Sequence, residues 1–368
     1  MMIPKKLFLL LSLTVTVNTL YSCSFDSKVK AEYATLQEVY ATADQALTET
    51  YQNMKMPTQL HLTQVDALYS YETVIDYPTK TKEEQIAPMQ QFIESIGGTF
   101  DPAAIKKWKS PQFYYYETDE EYLRIERSGG EVSYNNGSIT QLYSKGEEIQ
   151  IYRLDRGDTI ENATVDLNGT SWALSDAKAY TDKYIQEKVM PHIGYSDAKV
   201  KTIGSYKMQD GTTQLALEYD YLVNGLPVYS GADGHNPSEF ILSPQFSIIF
   251  TAPETVVHIR AIRTFQYKEP KKLKDSFITL PSALRLVEQY LASEYVYSVC
   301  DIQMQYAAVG KENVAPYQYR PCWCIVLAEE DGKLQAYNQT TVFVDMQNGK
   351  ICTYDMISGR LDDFKQYE

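Results

Sequence analysis

Two segments of this chain, 106 residues apart, share a helical pattern, and this internal repeat constrains the fold more than any other feature. Residues 174–185 align with residues 280–291 without a gap. The identical positions include Leu174 and Leu280, Ala177 and Ala283, and Tyr184 and Tyr290. Apolar residues at spacings of three and four predict an amphipathic helix in each segment. We therefore expect a duplicated unit that begins with a helix.

Strand patterns follow each predicted helix in the same order. The predicted strands are 199–208, 214–229 and 239–263 after the first helix, and 301–309, 319–328 and 340–354 after the second. A helix followed by an antiparallel meander can cover one face of that meander. The sequence therefore predicts an α+β fold of tandem helix-plus-antiparallel-sheet units.

The first 23 residues have the composition of a secretory signal. Lys5 and Lys6 precede an apolar run, residues 7–20, that is shorter than the about 20 residues a membrane-spanning helix needs. Residues 20–23, Leu-Tyr-Ser-Cys, resemble the lipobox of bacterial lipoproteins. The resemblance implies cleavage before Cys23 and a diacylglycerol of the palmitate type on its thiol. It predicts a lipid-anchored protein at the outer, extracytoplasmic face of a Gram-positive cell membrane; ordinary secretion with a bare cysteine is the alternative.

The second half of the chain resembles two families of extracytoplasmic modules. Residues 219–229, a strand that runs into Asn-Gly-Leu-Pro-Val, resemble the strand–turn motif of PepSY-type domains. Residues 320–323 and 342–351 resemble the C-terminal part of YycH/YycI-type regulators. The resemblance covers about residues 174–356 and implies PepSY/cystatin-like units that are enzymatically inert and act through protein contacts. Those regulators carry a transmembrane helix where this chain has a lipobox, so only the module type is carried over. The whole chain also resembles uncharacterised clostridial lipoproteins.

These patterns divide the chain into a leader and three domains. The expected segments are a signal peptide, residues 1–22; an N-terminal helix-plus-sheet domain, 23–160; a PepSY-like unit, 174–270; and a second such unit, 275–368. Helical patterns at about 30–53 and 82–96, then strand patterns from 113 to 154, support the N-terminal domain. Whether that domain is a third copy of the repeat stays open.

Charge and aromatic content narrow the possible partners. Cleavage after residue 22 removes two lysines and no acid, which changes the formal net charge from −14 to −16. Such a surface repels nucleic acid, so we expect no nucleic-acid partner. The chain has 31 tyrosines against 12 phenylalanines and 3 tryptophans. Tyrosine suits half-exposed strands, and a glycan-binding aromatic surface is the alternative interpretation.

Four cysteines belong to the folded part: Cys300, Cys322, Cys324 and Cys352. On the predicted strands Cys352 lies about two strands from Cys322, or ~10 Å, whereas a disulfide needs Cα atoms within about 7 Å. Buried free thiols are therefore the expectation, with a bridge and a metal site as alternatives.

Chemical motifs are scarce. The sequence has no HExxH, GxSxG, glycine-rich phosphate loop or CxxC pair, so we expect no catalytic residues, no metal and no cofactor. Asp233 and His235 lie in a polar loop and form a candidate interaction site for a cation or peptide, with a solvated connector as the alternative. The predicted function is a non-catalytic interaction or regulatory module that meets a membrane or envelope protein. A peptide- or glycan-binding surface lipoprotein is the second hypothesis, and a cell-envelope hydrolase the third.

Overall fold

The computed structural model describes most of the chain between residues 31 and 353. The described ranges are 31–74, 81–107, 114–126, 130–136, 145–193, 197–230, 234–235, 240–242, 244–263, 266–291, 296–311, 314–329 and 339–353.

The described residues contain five α-helices. These are α1 (Leu36–Thr42), α2 (Gln45–Thr48), α3 (Lys82–Ser95), α4 (Leu174–Tyr184) and α5 (Leu280–Tyr290). A π-helical segment, Ile185–Val189, continues α4 without a break. The two helices of the sequence repeat are α4 and α5, which have the same length and keep the offset of 106 residues.

The chain around α3 shows how local chemistry sets the ends of a helix. Thr81 is its N-cap: the Thr81 hydroxyl accepts from the Glu84 N–H at 3.2 Å, while the Glu84 carboxylate accepts from the Thr81 N–H at 2.7 Å. The helix ends at Ser95, and Gly97 just beyond it has a φ of +83°, which is costly for other residues. The Gly98 N–H then donates to the Ile93 carbonyl at 2.9 Å, which pairs the last turn.

Strands dominate the rest of the structure. In chain order they are β1 (Tyr33–Ala34), β2 (Met54–Lys55), β3 (Tyr69–Val74), β4 (Ile105–Lys107), β5 (Tyr114–Glu117), β6 (Glu121–Glu126), β7 (Glu131–Asn136), β8 (Glu147–Arg153), β9 (Thr164–Leu167), β10 (Thr170–Ala173), β11 (Ala198–Lys207) and β12 (Thr213–Val223). The second twelve are β13 (Leu226–Pro227), β14 (Gly234–His235), β15 (Phe240–Leu242), β16 (Gln245–Ala252), β17 (Thr255–Ile262), β18 (Gln266–Tyr267), β19 (Lys271–Lys272), β20 (Phe277–Ile278), β21 (Tyr297–Lys311), β22 (Val314–Glu329), β23 (Gln339–Asp345) and β24 (Ile351–Thr353).

Two ten-stranded sheets carry most of these strands. The first sheet runs in the order β4-β5-β6-β7-β17-β16-β12-β11-β8, with β13 paired to β12. The second runs β14-β15-β21-β22-β23-β24, with β2, β3, β18 and β19 attached. The ladders are antiparallel except for the short parallel pair of β2 with β21. Two small sheets pair β1 with β20 and β9 with β10.

The prediction of an α+β fold built from tandem PepSY/cystatin-like units is wrong. The structure is mostly β, with large multi-stranded antiparallel sheets and few helices. Strands β4 to β8, from before residue 160, extend the first sheet at both of its edges. Strand β15 lies in sequence between β12 and β16, which belong to the first sheet, but it pairs with β21 of the second sheet. Hydrophobic alternation marks a strand but not its neighbours, because pairing is decided by contacts distant in sequence.

The first long helix predicted, at about residues 30–53, is also different in the structure. The chain forms β1, then α1, then the single turn of α2. The β1 strand is hydrogen-bonded to β20, so a distant partner replaces the first turn of the predicted helix. Leu36, Val39, Ala43 and Ala46 still face the core at the expected spacing.

Candidate functional site

An open cleft of about 780 Å³ lies on the first sheet's side of the molecule. Its walls are the end of α3 at residues 95–98, the start of β6 with the end of β7, the second half of α4 with its π-helical continuation, and the turn between β16 and β17. The aromatic lining residues are Tyr134, Tyr180 and Tyr184. We call this site the tyrosine cleft.

Tyr180 and Tyr184 form a pair of rings on one face of α4, because residues four apart in a helix lie above one another. Their ring centroids are 6.1 Å apart, and the ring planes are tilted by 33°. The other edge of Tyr180 packs against Trp172 and Phe250, at centroid distances of 6.1 Å to each. Both tyrosines are half-buried, so each presents part of its ring to the cleft.

Tyr134 forms the floor of the tyrosine cleft. It is 3 % exposed, and its hydroxyl donates to the Glu121 Oε1 at 2.9 Å. Behind it, the Phe92 ring of α3 lies 5.6 Å away, centroid to centroid. Burial, together with the neighbouring Glu121 carboxylate, raises the pKa of Tyr134 far above its usual range. The hydroxyl therefore stays protonated, and its proton is committed to Glu121.

Two unusual backbone features border the tyrosine cleft. The π-helix after α4 is a rare conformation that is frequent at functional sites. Across the cleft, Glu254 has a φ of +59°, which is uncommon for a residue with a side chain. The Tyr180 hydroxyl donates to the Glu254 carbonyl at 3.1 Å. This bond ties the helix to the turn and fixes the width of the cleft at that point.

The charged lining residues are of both signs. Glu121, Glu187 and Glu254 supply carboxylates, while Lys183 and Lys188 supply ammonium groups. The Lys183 Nζ and the Glu187 Oε1 are 4.0 Å apart, and both side chains are mostly exposed. A pair this exposed is weak and can be opened by a ligand.

A second polar group lies where the first sheet meets the second, and we call it the junction cluster. It consists of Lys201 of β11, Asp220 of β12 and Ser230, with Asp155 and Arg156 nearby. The Lys201 Nζ donates to the Ser230 Oγ at 3.1 Å, and the Ser230 hydroxyl donates to the Asp220 Oδ1 at 2.5 Å. Asp220 is 5 % exposed, so its charge is compensated by these neighbours rather than by water.

Arg156 connects the junction cluster to the second sheet. Its Nε lies 3.6 Å from the Oδ2 of Asp301, a residue of β21. The Asp155 carboxyl stands beside it with a buried Oδ1 that has no hydrogen-bond partner. Burial is the main cause that raises the pKa of Asp155, although Lys201 opposes it. The cluster therefore holds one carboxylate that is poorly compensated.

Of the predicted site residues Cys23, Asp233 and His235, His235 is the one within the described part of the chain. Cys23 and Asp233 fall outside the described residues. His235 lies in β14, with its backbone opposite Phe240 of β15. Its strand belongs to the second sheet, whereas the cleft belongs to the first.

Three cysteines of the second sheet form no disulfide in the described part of the chain. Cys300 is half-buried, and Cys322 and Cys324 are buried. Cys352 lies opposite Phe343, which in turn lies opposite Cys324. Cys352 on β24 is therefore two strands from Cys322 and Cys324 on β22, and Cys324 is the one that shares its register.

Comparison with known proteins gives a fold but no activity. No family model and no curated protein matches this chain. The structure resembles that of an uncharacterized protein from Eubacterium rectale ATCC 33656, with a TM-score of 0.54 and 12 % sequence identity. The match covers 86 % of this chain and 99 % of that chain. At this identity the likeness shows a shared fold and nothing further.

One part of the tyrosine cleft, the pair of rings on α4, could have been predicted from the sequence. Tyr180 and Tyr184 stand four residues apart on a predicted helix, which places both on one face. The contribution of Tyr134 and of the Glu254 turn could not be found this way, because sheet pairing brings them to the helix.

Among the helices that the structure describes, none is long and apolar enough to cross a bilayer.

Proposed function

We propose that this chain is a non-catalytic binding protein, held at the outer face of a cell membrane by a lipid on Cys23, and that the tyrosine cleft holds its ligand. One observation carries the proposal: two half-exposed rings, Tyr180 and Tyr184, stand in a solvent-open cleft with charged groups of both signs around them. Concave sites with aromatic walls and a few convergent polar groups are typical of ligand binding.

The junction cluster supports binding rather than acyl transfer. Ser230 and Lys201 are close enough to resemble a serine nucleophile with a lysine base. The nearby Asp220 is the main cause that raises the pKa of Lys201, so this amine stays protonated. A protonated lysine cannot accept the serine proton. These residues are better explained as an ion-paired cluster that joins β11 and β12 of the first sheet to the segment that follows β13.

Native mass spectrometry of the mature chain, incubated with the low-molecular-weight fraction of a cell-envelope digest, tests the proposal. We expect a bound species with the wild-type chain and its loss with Tyr184→Ala, because that substitution removes half of the ring pair. Tyr33→Ala is the matched control, since Tyr33 is 41 % exposed and lies in β1, outside the cleft. Equal ligand retention by all three chains, or none by any, contradicts the proposal.

The anchor is tested separately in cells. We expect labelled palmitate to be incorporated into the wild-type chain and not into Cys23→Ser, which has no thiol to acylate. The wild-type chain should sediment with membranes, because a diacylated residue anchors stably. Recovery of unlabelled wild-type chain in the medium would contradict the lipid anchor, but it would not bear on ligand binding in the tyrosine cleft.

A second candidate function, a protein-interaction or regulatory module, is favoured by the edge of the first sheet. Among the described strands, β8 is hydrogen-bonded only to β11. Its Ile149 is 56 % exposed, the most exposed large hydrophobic side chain of the described residues. An open sheet edge with an apolar side chain can accept a strand from a partner.

Site-specific photocrosslinking at position 149 tests this second candidate in intact membranes. A crosslinked band that is lost when the probe is moved to position 199, on β11, would support a partner at the β8 edge. The same band from both positions would indicate nonspecific capture and contradict the candidate.

A further inference from the structure

We propose that the ligand of the tyrosine cleft is a neutral oligosaccharide that stacks on Tyr180 and Tyr184. The inference rests on the proposed function and adds the chemical class of the ligand. It follows from the rigidity of the ring pair, the balance of charge around it and the pairing of the backbone N–H groups in the part of the wall formed by α3.

The ring pair is held in place before any ligand arrives. Trp172 and Phe250 support the Tyr180 ring in edge-on contacts, with ring planes inclined by 65° and 71°. The Tyr180 hydroxyl is bonded to the Glu254 carbonyl. Tyr184 is partly buried against the same hydrophobic core. Two packed rings at a shallow angle offer an apolar platform that costs little entropy to use. The C–H face of a sugar ring is a flat apolar surface that matches such a platform.

The charges around the platform disfavour an anion. Glu121, Glu187 and Glu254 outnumber Lys183 and Lys188 by one. The C-terminal end of α3 also borders the cleft and adds partial negative charge. A neutral polyol suits this mixture, because each sugar hydroxyl can donate to a carboxylate and accept from an ammonium group.

The wall formed by α3 offers little to a peptide backbone. The N–H groups of Ile96, Gly97 and Gly98 are already bonded to carbonyls of the last helical turn, at 2.9 to 3.2 Å. Peptides that bind as extended strands use unpaired groups of a sheet edge, whereas the two strands that line this cleft with residues 121, 134 and 136, β6 and β7, are inner strands with a neighbour on each side. Side-chain recognition of a polyol therefore fits the cleft better than main-chain recognition of a peptide.

Isothermal titration calorimetry of the mature chain with cellotetraose, maltotetraose and chitotetraose tests the inference, with tetra-alanine and tetralysine as peptide probes. We expect at least one oligosaccharide to bind in the millimolar range or tighter. Tyr184→Ala should weaken that binding by roughly tenfold or more, because truncation of an aromatic anchor removes its contact area. Tyr184→Phe keeps the ring and should bind within about threefold of the wild-type chain.

Folding of each variant is checked by its melting temperature, and Tyr33→Ala serves as the exposed-tyrosine control. Binding of a peptide probe but of no oligosaccharide, with loss in Tyr184→Ala, would overturn the sugar assignment and leave the binding function standing. Oligosaccharide binding that Tyr184→Ala leaves unchanged would also overturn it, since the sugar would sit elsewhere. If no probe binds and envelope digests also yield no ligand, the inference and the proposed function fail together.

Discussion

Helices α4 and α5 begin at equivalent positions of a sequence repeat, yet the structure uses them differently. In α5 the residues Leu280, Ala283, Leu284 and Val287 are all fully buried. In α4 the position that matches Leu284 is Lys178, a partly exposed residue paired with Asp182 at 2.6 Å. One helix is a core element, while the other keeps a polar and aromatic face in solvent.

The two helices also differ where they end. Helix α5 stops at Tyr290, and Leu291 returns to an extended conformation. Helix α4 continues into the π-helix that carries Glu187 and Lys188 to the tyrosine cleft. The comparison teaches that two helices of equal length at equivalent positions of a repeat can have different roles. Helix α5 is packed into the core, whereas α4 keeps one face exposed, and that face can form a site.

The largest difference in the free energy of unfolding is expected when the matched positions Leu284 of α5 and Lys178 of α4 are each replaced by alanine. Leu284→Ala should lower the free energy of unfolding by about 3 kcal/mol, because it leaves a cavity in the core. Lys178→Ala should change it by at most about 0.5 kcal/mol, since an exposed pair at this spacing contributes little. Urea denaturation of both variants measures the contrast. Equal losses would show that α4 is as much a core element as α5.

Acid should weaken the first sheet through His258 of β17. Burial, and then Arg260, lowers the pKa of folded His258 to about 4, against about 6.5 in the unfolded chain. Between these pH values only the unfolded chain binds the proton, so stability falls as the pH drops, by roughly 3 kcal/mol in total.

Urea denaturation from pH 7 to pH 4 measures this loss, and His258→Gln should have a shallower pH dependence. Hydrogen exchange at pH 5 should show faster exchange in the first sheet than in the second. An unchanged pH profile in the variant would mean that His258 is protonated without cost in the folded protein.

The stability of the first sheet near its junction with the second should depend on Lys201, which pairs with Asp220 of the neighbouring strand. Lys201→Met leaves the Asp220 carboxylate, whose side chain is 7 % exposed, without its neighbouring cation. We expect a loss of about 2 kcal/mol in the free energy of unfolding, less than for a fully buried pair because Lys201 is partly exposed. Lys183→Met is the control: its pair with Glu187 is exposed, so the change should stay within about 0.5 kcal/mol. Similar changes in the free energy of unfolding for both lysine variants would contradict a structural role of the junction cluster.

The smallest effect tests how α4 is attached to the first sheet. Tyr219 of β12 is 2 % exposed, and its hydroxyl donates to the Asp182 Oδ1 at 3.0 Å. Tyr219→Phe should lower the free energy of unfolding by about 1 kcal/mol, the usual net value of such a bond. Tyr33→Phe, in a side chain that is 41 % exposed, should have a smaller effect. A neutral Tyr219→Phe would indicate that packing alone holds α4.

Several elements were predictable because local patterns specify them. Helix α3 lies at Lys82–Ser95 against a predicted 82–96, and β5 to β8 lie within the strand patterns predicted from 113 to 154. The single predicted strand 239–263 is instead split into β15, β16 and β17. Within a long β-rich run, the hydrophobic pattern does not show where one strand ends and the next begins. The turn between β16 and β17 is formed here by Pro253 and Glu254.

The sequence by itself determined where α3, α4, α5 and most strands lie, because spacing of apolar residues and helix caps act over a few positions. It also supplied the expectation of a lipid on Cys23, which depends on residues 1–23 alone. Only the tertiary structure decided that β4 to β8 complete the first sheet and that β15 joins the second. It alone brought Tyr134 and the Glu254 turn to Tyr180 and Tyr184, because such pairings are between residues far apart in the chain and no local pattern encodes them.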